Sequence, residues 1–522
     1  MRHIITINAL LAGLMACLIA GCSGSSSPAI PTDSSRSAEY FCYCTTAFDG
    51  TPEEPFRDFD LATLIEKGQT PASCRPAILM HGGANHSFTI VVSLHQTPFQ
   101  GKMPMYTWFK DGGEAACPPI MFGFPSGGTV DYKFPKVDAY FEPADDTIQV
   151  AVSFMWRLTQ APWPQNTWNI GVIFLHWRTI QFALDPIPPP YQTFVVLYPT
   201  PVTEWGHDIA FNHYTGEAYL VFAQDRQIPC PYRLRYTVLS EDPDPDVFAW
   251  TDTGFYWAVA PNVIGNMWLP SIDVGMLNMH EHSSYPDQAL IYVGVAFTLD
   301  PPDPAPPEPA TPFCVAYNYW VPELDGYGDQ TANTEVIDNP YVADGLDAGL
   351  PRLDIAPNNS VPPYFALAFV QEENNPDTTW EYFVWLFDSR NWDLRKMPSY
   401  DGEIRQLTLP SVACHYIGIG SPEVSVSAYE NEAIGVPVGD YRPIAWRFNV
   451  GPEIFDNPQM VQGPYQGIYG PWHSLDVAFM DCGVATGIVL TENNSYYFGF
   501  ADSITTDWNP TTVYVAWGNT TQ

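Results

Sequence analysis

The chain has 522 residues, with 58 acidic against 21 basic side chains and a formal net charge of −37 at pH 7. Hydrophobic residues make up 46% and aromatic residues 15%, so the chain can bury a large core, which excludes a wholly disordered protein. Lys and Arg are too few to neutralise a polyanion, which excludes nucleic acid as a partner.

The first residues have the features of a secretory signal. Arg2 and His3 give a short basic start, and the stretch from Ile4 to Ala20 is mostly apolar. It ends in Leu-Ile-Ala-Gly-Cys at positions 18–22, which resembles the lipobox of bacterial lipoproteins. The resemblance implies a signal peptide over residues 1–21 and a lipid on Cys22, which would begin the mature chain.

A Ser- and Pro-rich tether is expected over residues 22–38. The resemblance then implies an outer-membrane lipoprotein of the bacterial cell envelope, facing the periplasm or the exterior and touching the membrane only through its lipid. The alternative is an ordinary signal peptide in which Cys22 is incidental. No later stretch approaches the roughly 20 apolar residues that a transmembrane helix needs.

Eight cysteines follow the tether, an even number that predicts disulfides in an oxidising compartment. They are Cys42, Cys44, Cys74, Cys117, Cys230, Cys314, Cys414 and Cys482. Metal binding is the alternative. Because only Cys42 and Cys44 are close in sequence, a structural zinc site is not expected.

Residues 39–522 are predicted to form a single all-β domain. Short runs with period-two alternation are separated by turn residues, and longer strands such as Ala289 to Phe297 are apolar on both faces. The chain contains 52 Pro, too many for a helical protein.

A short motif recurs along this domain, in which an Asp follows an aliphatic residue or His and precedes small or apolar residues. The aspartates are Asp138, Asp208, Asp273, Asp354 and Asp476. Two further copies, at Leu79 and Ala413, keep the apolar frame without the Asp, and the seven positions are separated by about 66 residues on average.

Several β-strands follow each copy of the motif. Four strands repeated seven times predict a seven-bladed β-propeller of four-stranded antiparallel blades, because one such sheet exposes two apolar faces that only its neighbours can cover. Six or eight blades, or a tandem of β-sandwiches, are the alternatives. The segment from Tyr40 to Phe48 is expected to add a strand to the last blade.

The recurring aspartates have two interpretations. A carboxylate on the first strand of a blade can accept backbone N–H bonds from the adjacent blade, which is the interpretation we favour. The alternative is an acidic ring around the axis that holds a cation. In the two copies that lack Asp, His81 and His415 lie two residues further on, where they can replace the polar group or mark a small axial site.

Few motifs point to chemistry. The segment Asp252-Thr-Gly-Phe-Tyr-Trp257 is similar to the Asp box of sialidases in its Asp, Gly and Trp, but it occurs once and carries no catalytic assignment. Asp325 and Asp329 flank a Gly-rich turn that could form a calcium site, and no other cofactor is expected. Loop aromatics such as Trp163 and Trp472 could stack on sugar rings or peptides.

The sequence therefore predicts a monomeric envelope lipoprotein whose propeller serves as a binding or scaffolding module for a protein or glycan ligand, without catalytic residues. The alternative is a carbohydrate-active hydrolase of propeller fold, in which carboxylates act as acid and base.

Overall fold

The computed structural model describes the chain in segments, all within one compact unit, Ser37–Gln522. The described residues are 41–47, 77–82, 87–97, 101–110, 114–115, 120–121, 130–142, 147–158, 168–178, 181, 190–213, 215–225, 232–242, 248–278, 289–302, 311–330, 333–337, 347–356, 364–373, 381–390, 392–397, 406–416, 422–431, 441–449, 454–455, 459–460, 472–481, 497–506 and 509–519. In these segments no helix is long and apolar enough to cross a membrane.

The elements of the described segments are almost all β-strands. In the first half they are β1 (Phe41–Ala47), β2 (Ala77–Gly82), β3 (Ser87–Thr97), β4 (Gly101–Lys110), β5 (Glu114–Ala115), β6 (Ile120–Met121), β7 (Val130–Glu142), β8 (Thr147–Leu158), β9 (Trp168–Arg178), β10 (Tyr191–Phe211), β11 (Ala218–Asp225), β12 (Tyr232–Glu241), β13 (Trp250–Asp252) and β14 (Trp257–Ala258). In the second half they are β15 (Asn266–Asn278), β16 (Ala289–Asp300), β17 (Cys314–Trp320), helix α1 (Pro322–Asp325), β18 (Thr334–Ile337), β19 (Ala348–Ile355), β20 (Phe365–Glu373), β21 (Glu381–Asp388), β22 (Asp393–Lys396), β23 (Gln406–Tyr416), β24 (Pro422–Asn431), β25 (Tyr441–Asn449), β26 (Ile454–Phe455), β27 (Gln459–Met460), β28 (Trp472–Asp481), β29 (Tyr497–Thr506) and β30 (Asn509–Asn519).

Neighbouring strands form antiparallel runs of four. The runs are β2-β3-β4-β5, β7-β8-β9-β10, β10-β11-β12-β13, β15-β16-β17-β18, β19-β20-β21-β22, β23-β24-β25-β26 and β28-β29-β30-β1. The 21-residue β10 belongs to two runs, and β28 pairs in parallel with β2, so some runs share a larger sheet. The prediction of an all-β protein with four-stranded antiparallel sheets is confirmed.

The last run takes its fourth strand from the start of the chain. β1 pairs with β30 from Phe41 opposite Trp517 to Ala47 opposite Thr512. The expectation that the segment from Tyr40 to Phe48 adds a strand to the last sheet is confirmed.

The core lies between successive runs, because the long strands are apolar on both faces. All of the first ten residues of β8 are buried, which a sheet with one wet face would not allow. Ile90 and Trp108 of the first run share a cluster with Tyr132 of the second. In another cluster the ring of Tyr317 stacks on that of Phe365 in the next run, 4.4 Å between centroids.

The first strands of the runs contact one another in succession. β2, β7, β10, β15, β19, β23 and β28 each contact the next. β28 also pairs with β2, with Met80 opposite Met480. These strands are the ones that carry the recurring motif.

A β-bulge interrupts five of these strands. Four bulges contain a residue with positive φ, namely Phe134 (52°), Gly206 (98°), Leu269 (47°) and Leu350 (56°). A proline follows directly in three of them, at Pro135, Pro270 and Pro351. Because this conformation costs a Phe or Leu about 1–2 kcal/mol, the packing between runs must hold these residues in place.

The bulges change the alignment of one motif aspartate. Asp138, Asp273 and Asp354 each follow the bulge residue of their strand by four positions. Asp208 follows Gly206 by two, and Ala210 takes the fourth position. The sequence analysis aligned Asp208 with the other motif aspartates, but in the structure Ala210 takes their position. The misalignment by two residues arose because no proline marks the bulge of β10.

Candidate functional site

Three motif aspartates accept hydrogen bonds from the first strand of the following run. The pairs are Phe211 N with Asp138 Oδ2 at 2.6 Å, Ile355 N with Asp273 Oδ2 at 2.5 Å and Cys414 N with Asp354 Oδ2 at 2.5 Å. Each carboxyl thus satisfies a backbone donor of the following run.

A second set of contacts lies two residues nearer the bulge. Leu353 N donates to Ser271 Oγ at 3.0 Å, and Ile272 N donates to Asp208 Oδ2 at 3.2 Å. Lys136 Nζ lies 3.3 Å from Asp208 Oδ1. Asp208 therefore has the position and the role of Ser271, not those of the other aspartates.

Burial controls the protonation of the three inner carboxyls. It raises the pKa of Asp138 to about 7 and that of Asp354 to about 7, and it raises the pKa of Asp273 well above its ordinary value. The charge of a neighbouring carboxylate adds to the effect of burial in each case, from Asp273 on Asp138, from Asp354 on Asp273 and from Asp138 on Asp354. Protonation thus relieves the repulsion that a ring of ionised carboxylates would suffer.

Several predicted site residues cannot be placed. Cys22, Cys74, Cys117, Cys230, Cys482 and Trp163 lie outside the described residues. For another group only the backbone is described, namely Cys42, Cys44, His81, His415, Trp472 and Asp476.

The disulfide prediction is wrong for the two cysteines whose side chains are described. Neither Cys314 nor Cys414 forms a disulfide. Cys414 is buried, and its thiol donates to the backbone oxygen of Asp354, with Sγ 3.1 Å away. Cys314 begins β17 opposite Leu299, so no cysteine faces it across the pair of strands.

The segment that resembles an Asp box forms a tight turn. Asp252 Oδ1 accepts the backbone N–H of Gly254, and Oδ2 accepts the hydroxyl of Tyr256 at 2.8 Å. Gly254 has a φ of 71°, which a side chain would disfavour. The turn brings Phe255 and Trp257 together as a stacked pair, 5.8 Å between centroids and 19° between planes.

A third ring extends this pair into an exposed surface. Tyr327, from the next run, lies 6.0 Å from Trp257 with 34° between the planes. Phe255 is 64% exposed and Tyr327 is 53% exposed. We call Phe255, Trp257 and Tyr327 the aromatic platform.

Buried groups hold the aromatic platform from below. The ring of Tyr236 lies 5.2 Å from that of Trp257, and its hydroxyl donates to the backbone oxygen of Gly328 at 3.0 Å. Ala258 N donates to Asp329 Oδ1 at 2.7 Å, which joins the two runs beside the platform. The rings are therefore preorganised, so a ligand would not have to order them.

Polar groups border the platform. Glu217 Oε2 accepts hydrogen bonds from Thr215 Oγ1 at 3.1 Å and from the hydroxyl of Tyr327 at 3.4 Å. Asp329 Oδ1 lies 3.6 Å from Arg235 Nη1, and the Asp329 side chain is 58% exposed. Burial raises the pKa of Tyr327, and the charge of Glu217 raises it further, so the phenol stays protonated.

The carboxylates of the predicted calcium turn are both engaged by the backbone. Asp325 Oδ2 accepts the N–H of Val321 at 2.8 Å, and Asp329 accepts that of Ala258. Over the part of the chain that the structure describes, no group of three or more His, Cys, Asp or Glu side chains could hold a metal ion.

The sequence did not indicate the platform. Phe255 and Tyr327 are 72 positions apart. Phe255 lies in the segment that resembles an Asp box, and Tyr327 lies in the predicted calcium turn. The signal that could have joined them is their shared pattern, an aromatic beside a Gly-containing turn next to the fourth strand of consecutive runs.

No family model matches the sequence, and no curated protein matches it with significance. Among solved structures, AofleA from Arthrobotrys oligospora is 8% identical with a TM-score of 0.37, over 82% of this chain and 90% of that one. The GH93 α-L-arabinofuranosidase of Fusarium graminearum is 12% identical with a TM-score of 0.35, over 70% and 89%. The α-L-arabinofuranosidase from Lactobacillus brevis is 10% identical with a TM-score of 0.28, over 62% and 93%. Similarity at this level transfers no activity or ligand to this chain.

Proposed function

We propose that this chain is a β-propeller module that binds a glycan through the aromatic platform. The observation that carries the proposal is the exposed, preorganised row of Phe255, Trp257 and Tyr327. A seven-bladed ring is supported by the seven runs of four strands and by the succession of contacts from β2 to β28 and back to β2.

The chemistry of the platform favours a sugar over a protein. A sugar ring has an apolar C–H face that packs on an aromatic face, while its hydroxyls need polar partners at the edge. Glu217 and Asp329 supply carboxylate oxygens there. A stable protein interface buries about 800 Å² on each partner, more than three side chains offer.

The test is affinity electrophoresis, in which a polysaccharide that binds the chain slows its migration. The binding constant of the chain and its variants is then measured for each polysaccharide that does so. Phe255→Ala and Tyr327→Ala should each weaken binding by about tenfold, since an aromatic contact contributes about 0.5–1.5 kcal/mol beyond its buried area. Trp392→Ala is the matched control, because Trp392 is 54% exposed and lies outside the platform. Equal losses in all three variants would contradict the proposal.

One observation favours a second function, hydrolysis of a glycosidic bond. Asp138 and Asp354 have pKa values raised to about 7, which suits a general acid. Both carboxyls are already bonded to the backbone of the next run, so binding remains our first proposal. Release of reducing sugar that Asp354→Asn abolishes in a folded protein would establish hydrolysis.

We propose further that Cys22 carries the lipid that anchors the module in the bacterial envelope, on the resemblance of residues 18–22 to a lipobox. Cys22→Ser should move the chain from the membrane fraction to the soluble fraction on expression in a Gram-negative host. Equal membrane association of both forms would contradict the anchor.

A further inference from the structure

Two carboxylates beside the aromatic platform have no basic partner. Glu217 ends the turn between β10 and β11, and Glu323 lies in α1, after the third strand of the next run. Neither forms a salt bridge with a Lys, Arg or His of the described segments. Asp329 differs from them, because Arg235 lies 3.6 Å away. The platform is therefore bordered by negative charge that no described basic side chain offsets.

Both carboxylates act on Tyr327, the outermost ring of the platform. The Tyr327 hydroxyl donates to Glu217 Oε2 at 3.4 Å. Burial raises the pKa of Tyr327, and the charges of Glu217 and Glu323 raise it further. Partial burial also raises the pKa of Glu323, with a further rise from the charge of Glu217. The two carboxylates therefore lie close enough to repel each other, at one edge of the platform.

The structure holds both carboxylates in place and leaves them accessible. Thr215 Oγ1 accepts the backbone N–H of Glu217 and donates to its Oε2 at 3.1 Å. Both oxygens of Glu323 face the backbone N–H of Ile291, at 3.1 and 3.2 Å. Glu323 is exposed, and Glu217 is half-buried with an Oε1 that accepts no hydrogen bond from the described residues. A ligand can reach the two groups without displacing a counter-ion of this chain.

We infer that the aromatic platform binds a glycan of amino sugars whose amines are free and protonated. The C–H face of one sugar ring would pack on Phe255 and Trp257, and an ammonium would lie beside Glu217, Glu323 and the ring of Tyr327. An aromatic face attracts a cation through its quadrupole, and a cation relieves the repulsion between two carboxylates. The inference rests on the proposed function, because it assigns a ligand class to the same platform.

Charge complementarity separates this ligand from other glycans and from peptides. A neutral sugar would leave the charges of Glu217 and Glu323 uncompensated, and a sugar acid would be repelled by them. A Lys-rich peptide has the positive charge without the flat C–H face that matches three aromatic rings. Only an amino sugar carries both features on one ring.

The test is isothermal titration of the full chain with tetramers of β-1,4-linked D-glucosamine, N-acetyl-D-glucosamine and D-glucose, at about pH 6 and about 0.15 M salt. The three tetramers share one type of backbone, and the glucosamine tetramer alone is cationic. The screening length in this salt is about 8 Å, so acidic side chains far from the platform contribute little. The glucosamine tetramer should bind at least about tenfold more tightly than either neutral tetramer.

Glu217→Gln and Glu323→Gln should each weaken binding of the glucosamine tetramer about fivefold, which corresponds to about 1 kcal/mol for an exposed ion pair. Binding of the neutral tetramers should not change, because the amide oxygen of Gln still accepts hydrogen bonds. Asp393→Asn is the matched control, since it removes one charge from a side chain that is 53% exposed and lies outside the platform. If circular dichroism shows that a Gln variant does not fold, the comparison of tetramers decides on the unchanged chain.

Four results would overturn the inference. They are equal binding of the glucosamine tetramer and the neutral tetramers, binding of tetralysine as tight as that of the glucosamine tetramer, full affinity for the glucosamine tetramer in both folded Gln variants, and no saturable binding of the glucosamine tetramer.

Phe255→Ala separates this inference from the proposed function. Equal binding of all three tetramers that Phe255→Ala weakens about tenfold would show that the platform binds glycans without a preference for amino sugars. Binding that Phe255→Ala leaves unchanged for every tetramer would show that the platform is not the site, and both proposals would fail.

Discussion

At the scale of single residues, a carboxyl between two sheets can stay buried by accepting hydrogen bonds or by keeping its proton. Asp138, Asp273 and Asp354 do both, since each accepts a backbone N–H and each has a raised pKa. The hydrogen bonds lower each pKa and burial raises it, and burial wins. Ser271 performs the same bridging without a titratable group.

Stability should therefore depend on pH. The pKa values of Asp138 and Asp354 are about 7 in the folded chain and about 3.9 in an unfolded one. Between these values the folded chain holds protons that the unfolded chain has lost, so stability should fall as pH rises from about 4 to about 7. Calorimetry should show a higher unfolding temperature at pH 5 than at pH 8, because the free energy of unfolding is larger at pH 5 by on the order of 2 kcal/mol per carboxyl. A flat profile would contradict the raised pKa values.

Asp354→Asn separates this effect from the general repulsion of a chain with net charge −37. The amide oxygen can still accept the N–H of Cys414, and the amide cannot ionise. We expect the variant to be more stable than the parent at pH 8, by about 1–2 kcal/mol, and nearly equal at pH 5. Asp393→Asn, at a side chain that is 53% exposed, should change neither value. A parallel shift of the Asp354 variant at both pH values would count against the interpretation.

At the scale of elements, the bulges fix where each first strand meets the next. Phe134, Leu269 and Leu350 adopt positive φ at some cost in free energy, and the run of strands behind them supplies the packing that holds them.

Among the four bulge residues with positive φ, Gly206 avoids this cost, with a φ of 98°. Gly206→Ala should destabilise the chain by about 1–2 kcal/mol in urea, because the strain comes from the backbone and the nearest neighbour of the added Cβ, at 3.5 Å, is in ordinary contact. Gly328→Ala should cost little, since its Cβ would meet nothing within 4 Å and its φ is not in the left-handed region. Equal costs for both variants would contradict the role of the bulge.

The strands were predictable because burial on both faces leaves long apolar runs, as in Ala289–Asp300. The bulges were not predictable, since Phe134 and Leu269 have no intrinsic preference for positive φ. Because the bulge of β10 was not anticipated, Asp208 was aligned two residues away from its structural position. The aromatic platform depends on packing between runs, which local patterns do not encode. An even number of cysteines does not show which of them lie close together. The disulfide prediction therefore failed at Cys414, whose thiol donates a hydrogen bond to the backbone oxygen of Asp354.

At the scale of the whole molecule, the ends of the described chain meet in one sheet. β28, β29 and β30 come from the C-terminal part, and β1 covers the edge of β30 with pairs from Phe41 to Ala47. An uncovered edge strand would offer its unpaired N–H and C=O groups to other chains. The N-terminal strand therefore protects the last run as well as extending it.

Removal of β1 should uncover that edge. A chain that begins at residue 50 should unfold at a lower temperature than one that begins at residue 38, and it should form soluble oligomers in size-exclusion chromatography with light scattering, because β30 would pair with other copies. A peptide of residues 39–49 added in excess should restore the monomer by completing the sheet. A peptide with the same composition in scrambled order is the control. A shortened chain that stays monomeric with an unchanged unfolding temperature would show that β1 contributes nothing to the last run, and would remove the support that this pairing gives to a closed ring.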